Sequence, residues 1–278
     1  DGLIIEDCEI GPSGVRDPSN AEGIDSIGSV GILIRGCYIH DSATNGIYLK
    51  GGARNGLIEG CRVERTHGYA GIILGQDTDL EFMRDGTKYE AIDCVARNNI
   101  VAHTGAAGLG TYSGLNIRFE NNTLYDVARE IQAGFWVVTN SRGVPAEQVT
   151  FVNNIVVINS GRPFLFVKDL ADKLVADGNV YYSPIGKYEF RREISSKSSA
   201  DQWTFGTWRR STGADNTSVT ADPKVNASDL YRPLPDSPAM GHGVAVANAK
   251  DFAGAPRPRA RCTIGAWEQG QKDFPAAR

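Results

Sequence analysis

The sequence lacks the features that identify membrane-spanning and nucleic-acid-binding proteins. None of its apolar runs approaches the about 18 to 20 residues that a helix needs to cross a bilayer. Its 29 basic residues stand against 33 acidic ones, so the net charge of −4 offers no positive field that would hold a polyanion. We therefore expect neither a membrane nor a nucleic acid as a partner.

Cysteine is scarce, and its spacing does not indicate a metal site or a disulfide framework. The five cysteines include no short paired spacing of the kind that binds zinc, and their number is odd. Cys8, Cys37 and Cys61 occupy equivalent places in a repeated apolar pattern, which predicts buried free thiols. The first residues show no signal peptide, but they begin within a strand-like segment and without a Met, so an upstream segment and export both remain compatible with the sequence.

What the sequence does contain is a repeat that extends through most of the chain. With 41% hydrophobic residues, the chain can form a sizeable core. Several copies of the repeat are 23 to 29 residues apart, a period that is typical of one turn of a solenoid. The copies are residues 4–10, 33–39, 57–63, 95–101, 118–124, 150–156 and 175–181.

Within each copy, apolar residues alternate as they do in a strand, and a cysteine or an asparagine occupies the bend that follows. Asparagines stacked on successive turns can hydrogen-bond to one another, which predicts an asparagine ladder. A second apolar segment follows in most copies after a variable loop. Together these patterns predict an all-β fold, a right-handed parallel β-helix over residues 1–183 with a C-terminal loop and capping tail packed on it over residues 184–278.

Charged side chains gather on the second strands of the first turns. Aligning these strands places Asp25 and Tyr48 outward on one sheet, with Lys50 two residues further along the same face. A sugar carboxylate fits between Asp25 and Lys50. Glu22 precedes the same strand and Asp41 lies in the next loop, so Glu22, Asp25 and Asp41 are candidate oxygen ligands of a Ca²⁺ ion.

The next turn adds candidate groups for acid–base chemistry and for sugar binding. His67 is a candidate acid or base, and Tyr69 is a candidate platform for a sugar ring. Gln76 leaves the same strand as a candidate substrate contact. Arginines of these turns are candidates for clamping carboxylates in a bidentate manner: Arg54, Arg62, Arg65 and Arg84.

The ladder and strand pattern resembles the pectin-lyase-like superfamily of right-handed parallel β-helices over nearly the whole chain. More locally, "EGID" at 22–25 and "NGIYLKGG" at 45–52 resemble segments of the family 9 polysaccharide lyases, which are pectate lyases. This resemblance implies Glu22 and Asp25 as calcium ligands and Lys50 as the catalytic base. The tail that ends "IGAWE" is similar to the closing segment of secreted bacterial β-helix proteins, which implies a secreted or periplasmic protein. We expect a monomer.

Catalysis by such a lyase sets clear chemical requirements. Elimination removes the C5 proton of a uronate, so the sugar carboxylate must be neutralised by a cation or an arginine while a base accepts the proton. A lysine serves as this base when desolvation or a nearby positive charge favours its neutral form. Lys50, His67 and Tyr48 are the candidate catalytic residues, and the expected substrate is an acidic polysaccharide.

Other functions fit the same architecture, because the fold alone does not determine activity. A uronan epimerase uses the same proton abstraction. An inverting glycoside hydrolase needs two carboxyl groups around a water, which Asp25 with Asp41, or Asp77 with Asp79, could supply. A non-catalytic carbohydrate-binding β-helix is the remaining alternative. We favour the lyase.

Overall fold

Short parallel strands recur in a fixed three-sheet order along the chain. The computed structural model describes residues 1–170, 174–195, 199–248, 250–258 and 261–268. Each turn contributes a strand to each sheet, which confirms the predicted parallel β-helix. Within these ranges, no helix combines the length and the apolar character that crossing a membrane requires.

We number the three sheets 1, 2 and 3 and define each by its strands. Sheet 1 contains Ile4–Glu6, Leu33–Arg35, Leu57–Glu59, Val95–Arg97, Gly114–Glu120, Glu147–Val152 and Val175–Asp177, with Ala53–Arg54 and Ala91–Ile92 at its side. Sheet 2 contains Ile24–Ile27, Ile47–Lys50, Ile72–Leu74, Leu109–Tyr112, Phe135–Val138, Leu165–Lys168, Phe190–Glu193 and the antiparallel Asp201–Trp203. Sheet 3 contains Glu9–Ile10, Tyr38–His40, Arg62–Glu64, Ile100–Ala102, Thr123–Tyr125, Ile155–Val157, Val180–Tyr182 and Val219–Thr220.

The register of sheet 2 stacks like residues on like. Ile24 pairs with Ile47, and Ile47 pairs with Ile72, as the sequence alignment predicted. Leu109 and Phe135 continue the same inward column. Because strand residues alternate between faces, this register turns one column of side chains into the core and leaves the next column on the outside.

The core is a continuous stack of apolar side chains that the three sheets enclose. Phe119, Phe135 and Phe151 are fully buried within it, and the rings of Phe135 and Phe151 stack with centroids 4.1 Å apart. Each turn leaves apolar edges that only its neighbours can cover, so the turns stabilise one another as in other solenoids. Burial of large apolar side chains is the main stabilising contribution, at about 1.5 to 3 kcal/mol for each.

The predicted asparagine ladder is present at the bend between sheets 1 and 3. The side-chain amide of Asn99 donates to Asn122 Oδ1 at 3.0 Å, Asn122 donates to Asn154 Oδ1 at 3.0 Å, and Asn154 donates to Asn179 Oδ1 at 3.3 Å. All four side chains are fully buried. A buried amide must satisfy its donors and acceptors, and the ladder does so by repeating one geometry from turn to turn.

The residue before each ladder position makes the bend itself. Asn98, Asn121 and Asn153 have φ values of 55°, 55° and 57°, and glycine occupies the corresponding position before Cys37 and Cys61. Asparagine and glycine tolerate this left-handed backbone better than other residues. The paired Asn-Asn of the repeat therefore divides two tasks, since the first residue turns the chain and the second forms the ladder.

The cysteine prediction holds for two of the three equivalent positions. Cys37 and Cys61 are buried free thiols below the ladder, and the main-chain amide of Cys61 donates to Asn99 Oδ1 at 2.9 Å. Cys8 is exposed, so the expectation of burial was wrong for this residue. It precedes the strand Glu9–Ile10, which pairs with Tyr38–His40 of the next turn.

Parallel pairing extends beyond the boundary at residue 183 that the sequence suggested. Phe190–Glu193 adds a parallel strand to sheet 2, and Val219–Thr220 adds one to sheet 3. Between them, the helix Phe205–Thr212 places Trp208 in the core, where only 1% of it is exposed. Its indole donates to the buried Asp215 carboxylate at 2.8 Å, which fixes the cap to the last turns.

The tail after residue 220 packs on the outside of sheet 3. It contains the antiparallel pair Val225–Asn226 and Arg232–Pro233 and the 3₁₀ turn Ala227–Asp229. Two further 3₁₀ turns, Leu80–Phe82 and Arg84–Gly86, lie outside the tail, in the loop after the strand Ile72–Leu74. Trp267 packs in a cluster with Ile100, and Ile264 in a cluster with Ile155. The tail therefore covers the exterior of sheet 3.

Candidate functional site

Lys50 lies on the outward face of sheet 2, on the same side as Tyr48. Leu49 between them points into the core and is fully buried. Lys50 Nζ lies 4.6 Å from the centroid of the Tyr48 ring, a distance at which a cation and an aromatic face attract each other. Among the residues that the structure describes, no carboxylate forms an ion pair with Lys50. The ammonium is thus held by a ring and not by an acid.

Two carboxylates approach Tyr48 from the preceding turn. Asp25 is the register partner of Tyr48 across the two strands. Three effects raise the pKa of the Tyr48 hydroxyl well above the usual range for tyrosine. They are, in decreasing order, burial of the side chain, the Asp25 carboxylate and the Glu22 carboxylate. The phenol is therefore protonated at neutral pH. The structure thus brings Asp25, Glu22, Tyr48 and Lys50 together, as the sequence predicted for this face.

Asp41 lies apart from this group, in an ion-pair network at the end of sheet 3. Its carboxylate accepts hydrogen bonds from Arg65 Nε and Nη2, both at 2.8 Å, and its Oδ2 lies 2.7 Å from His40 Nδ1. Arg65 and then His40 hold the pKa of Asp41 well below its usual range. Asp41 therefore does not join Asp25 and Glu22 as the sequence suggested. Arg65, predicted to clamp a substrate carboxylate, already binds the carboxylates of Asp41 and Glu64.

The calcium set predicted from the sequence is therefore not assembled from three carboxylates. Within the described ranges, no three Asp, Glu, His or Cys side chains come together as ligands of a metal ion. Glu22 and Asp25 remain a two-carboxylate candidate on their own. Calcium usually takes six to eight oxygen ligands, so this pair would leave most of them to water or substrate. Calcium dependence stays a prediction.

The Asp41–Arg65 pair predicts a pH-dependent contribution to stability. The folded state lowers the pKa of Asp41, so its stabilising effect is present above the ordinary aspartate range and is lost as the pH falls through and below that range. We expect Asp41→Asn to lower the urea midpoint at pH 7 and to lower it by a smaller amount at pH 3, where the carboxylate of the unfolded chain is mostly protonated. The effect is modest because both side chains are about one-third exposed. Asp79→Asn, at an exposed carboxylate, is the control; an equal shift at both pH values would contradict the assignment.

Arg54 and Arg84 lie near the carboxyl end of the strand that carries Lys50. The main-chain amide of Arg84 donates to the carbonyl of Gly51, the residue after Lys50. The Nη1 atom of the Arg84 side chain donates to the carbonyl of Gly28 at 2.7 Å. Arg54 and Arg84 share Asp85 at 3.7 and 3.6 Å. Exposed pairs of this kind contribute little, so a stronger anionic partner can displace them.

His67 lies at the other end of the strands. It is exposed, and its main-chain amide donates to the carbonyl of Ser42 in the loop before the strand. Lys50 ends its own strand, eight residues after Ser42. The structure therefore does not bring His67 and Lys50 together, and it gives the predicted acid–base role of His67 no geometric support.

A depression separates Lys50 from the aromatic side chains further along sheet 2. Ile73, the register partner of Tyr48, lies at its floor. Gly75 continues the outward column of Lys50 in the next turn. Its main-chain amide donates to the Leu49 carbonyl, and its carbonyl accepts from the Tyr112 amide of the turn after that. Lys50 and Tyr112 are therefore two turns, or about 10 Å, apart. A Cβ at Gly75 would lie 2.4 Å from the Tyr112 carbonyl oxygen, and its φ is +103°. Glycine is thus required there, and the gap between Lys50 and Tyr112 stays free of side chains.

A cavity of about 250 Å³ opens at this depression. Tyr69 and Gln76, both predicted substrate contacts, line it together with Ile73. Tyr112 and Gln132 also line it, and Gln132 Nε2 donates to the Tyr112 hydroxyl at 3.3 Å. The structure therefore brings these two predicted contacts together, one turn away from the Lys50 group.

Sequence reasoning missed the aromatic residues beyond this cavity. Trp136 occupies the outward column of sheet 2 and stacks on Phe166, with ring centroids 4.3 Å apart. Tyr112 packs against the same pair. The signal was available in the second strands, since alternation assigns Tyr112, Trp136 and Phe166 to the outward face once the inward residues are known.

The carboxylates proposed for a hydrolase do not form the required pairs. Asp41 is engaged by Arg65 and His40, and its lowered pKa makes it unsuitable as a general acid. Asp77 accepts a hydrogen bond from the main-chain amide of Ser141 at 2.6 Å, and Asp79 precedes the turn Leu80–Phe82. Neither suggested pair therefore offers two unengaged carboxyl groups on the Lys50 face.

Comparisons with known proteins place the chain by its fold. A family model described as the right handed beta helix region matches residues 1–162. Among solved structures, a glycoside hydrolase is similar at 13% identity with a TM-score of 0.41, over 67% of this chain and 40% of that chain. A pectate lyase, Pel9A, is similar at 12% identity with a TM-score of 0.29, over 87% of this chain and 73% of that chain. No curated protein matches the chain.

Proposed function

This chain belongs to the right-handed β-helix family, and on that premise we propose that it is a polysaccharide lyase. The proposed reaction cleaves an acidic polysaccharide by β-elimination on the outward face of sheet 2, with Lys50 as the base. The observation that carries the proposal is the position of Lys50. Its amine is outward, rests on the ring of Tyr48, has no ion-pair partner among the described residues and lies one turn away from a cavity lined by Tyr69 and Gln76.

The first step is the transfer of the C5 proton of a bound uronate to Lys50 Nζ. The electron pair of the C5–H bond forms the C4–C5 double bond, and the C4–O4 bond breaks with its electrons on the leaving oxygen. Lys50 accepts this proton through the lone pair of its neutral amine. The ring contact with Tyr48 keeps the amine facing the substrate.

Tyr48 supplies the proton that the leaving oxygen takes up. Its raised pKa keeps the phenol protonated until the leaving group demands the proton, and the neighbouring Asp25 disfavours a lasting phenolate. The resulting phenolate recovers a proton from the Lys50 ammonium. One turnover thus returns both residues to their starting states.

Arg84 is the candidate partner of the substrate carboxylate. It lies at the end of the Lys50 strand, and its present partners, Asp1 and Asp85, are exposed. A uronate could replace them at small cost, because exposed ion pairs contribute about 0 to 1 kcal/mol. Neutralising this carboxylate stabilises the carbanion-like transition state.

The test is an assay of the protein against pectate, alginate and glycosaminoglycans, with and without a chelator. A lyase forms an unsaturated product that absorbs ultraviolet light at about 235 nm, so an increase in this absorbance would support the proposal. Reducing ends without this absorbance would indicate a hydrolase, and solvent deuterium at C5 without cleavage would indicate an epimerase; either result overturns the lyase. Loss of activity in chelator would restore a calcium role for Glu22 and Asp25.

Tyr48→Phe separates the two roles of this tyrosine. Phenylalanine keeps the ring under Lys50 but removes the hydroxyl, so we expect kcat to fall about 10²-fold or more with KM little changed. The measurement is steady-state kinetics on the polymer that the assay identifies. Tyr125→Phe, in sheet 3, is the matched control and should have wild-type kinetics. A Tyr48→Phe enzyme with unchanged kcat would exclude the hydroxyl as the proton donor.

A further inference from the structure

The cavity lined by Tyr69 and Gln76 lies one turn away from Lys50 along sheet 2. Its volume is about 250 Å³. Tyr69 is 49% exposed, and hydrogen bonds from Thr66 and Ala106 to its carbonyl anchor its main chain. An accessible aromatic side chain on an anchored main chain is suited to stacking on the apolar face of a sugar.

The polar groups of this cavity are neutral. Every residue that lines it is uncharged. Gln132 is fixed because its Oε1 accepts from the amide of Ala107 at 3.1 Å. Gln76 forms no side-chain hydrogen bond within the described part of the chain, so its amide can both donate to and accept from a sugar hydroxyl or acetamide.

Two carboxylates lie near the cavity. Glu130 Oε2 lies 3.8 Å from the position that a Cβ on Gly68 would take, and Gly68 lines the cavity. Burial and, more weakly, the carboxylate of Asp77 raise the pKa of Tyr112. Arg162 also lies near Glu130, but its guanidinium donates to the carbonyl of that residue. A uronate in the cavity would therefore lie near two like charges and lose water, while no residue that lines the cavity carries a positive charge to pair with it.

We infer that this cavity binds an uncharged sugar unit, so that the substrate is a mixed polymer in which uronates are interspersed with uncharged sugars. This inference rests on the proposed function, since it takes the uronate to lie at Lys50 and its neighbour one turn further along sheet 2. A polymer made only of uronates would have to place a carboxylate in the uncharged cavity.

The test compares two oligosaccharides of equal length on the inactive Lys50→Ala protein. A hyaluronan hexasaccharide alternates glucuronate with N-acetylglucosamine, whereas hexagalacturonate contains uronates only. Titration calorimetry should give a Kd at least tenfold lower for the hyaluronan hexasaccharide. Adding Tyr69→Ala should remove most of this preference. Phe82→Ala, at another exposed aromatic residue that lies near Gly51 and does not line the cavity, is the matched control and should preserve it.

The results separate this inference from the proposed function. Equal or tighter binding of hexagalacturonate, binding of neither hexasaccharide, or a preference that survives Tyr69→Ala would overturn the inference. A loss of hexagalacturonate binding in Arg162→Gln would show that Arg162 seats a uronate in the cavity and would likewise overturn it. If the preference holds while the wild-type protein yields no unsaturated product, the lyase fails and the uncharged-sugar subsite stands.

Discussion

Lys50→Ala is expected to reduce formation of unsaturated product by about 10²- to 10⁴-fold, the range that a positioned base contributes. Alanine leaves no group on the outward face of this turn that can accept the C5 proton, since Tyr48 keeps its own proton at neutral pH. The loss should appear in kcat more than in KM, because the proton transfer occurs only in the transition state. The measurement is the rate at which the ultraviolet absorbance of the unsaturated product increases.

A matched lysine on the same sheet provides the control. Lys168 also faces outward from sheet 2, but it pairs with Glu193 at 2.7 Å and lies several turns away. Lys168→Ala should therefore retain near-wild-type activity. Circular dichroism should show unchanged β-structure in both variants. Equal activity of Lys50→Ala and wild type would exclude Lys50 as the base.

Asn122→Ala is expected to produce the largest loss of stability of any single ladder substitution. The fully buried Asn122 amide donates to the Ala96 carbonyl and to Asn154 Oδ1, both at 3.0 Å. Its Oδ1 accepts from the main chain and the side chain of Asn99 at 2.9 and 3.0 Å. Asn99 Nδ2 and Asn154 Oδ1 each keep a second partner in the alanine variant, whereas the Ala96 carbonyl and the Asn99 main-chain amide lose this bond. At about 1 to 3 kcal/mol for each of these two groups, we expect a total loss of about 2 to 6 kcal/mol.

Urea denaturation followed by fluorescence measures this loss as a lower midpoint. Asn159→Ala is the matched control because Asn159 is exposed, and its effect should stay within about 0.5 kcal/mol of zero. Similar midpoints for the two variants would contradict the ladder as a major source of stability. A loss confined to Asn122→Ala would support it.

Much of the fold follows from the sequence because each turn repeats the same local solution. The Asn-Asn pairs specify a left-handed bend and a ladder position together, and this spacing fixes the register of sheet 1. Once Ile47 faces the core, alternation places Tyr48 and Lys50 outside. The Lys50 group was predictable for the same reason, since its members occupy fixed columns of neighbouring strands.

Other parts of the site depend on loops, where no repeat constrains the chain. Asp41 could be assigned to a calcium site because the sequence does not show that Arg65, on the next turn, reaches it with two hydrogen bonds. His67 lies close to the site strand in sequence, yet it is at the opposite end of that strand from Lys50. The gap between Lys50 and Tyr112 depends on the absence of a side chain at Gly75, which the sequence pattern shows only as a turn residue.

The most direct test of the central claim is a crystal structure of Lys50→Ala with an oligosaccharide of the substrate bound. We expect a sugar chain along the outward face of sheet 2, with a uronate C5 facing position 50 and the next unit in the cavity beside Tyr69. A chain bound on sheet 3, on the capping tail or on any other surface away from position 50 would contradict it.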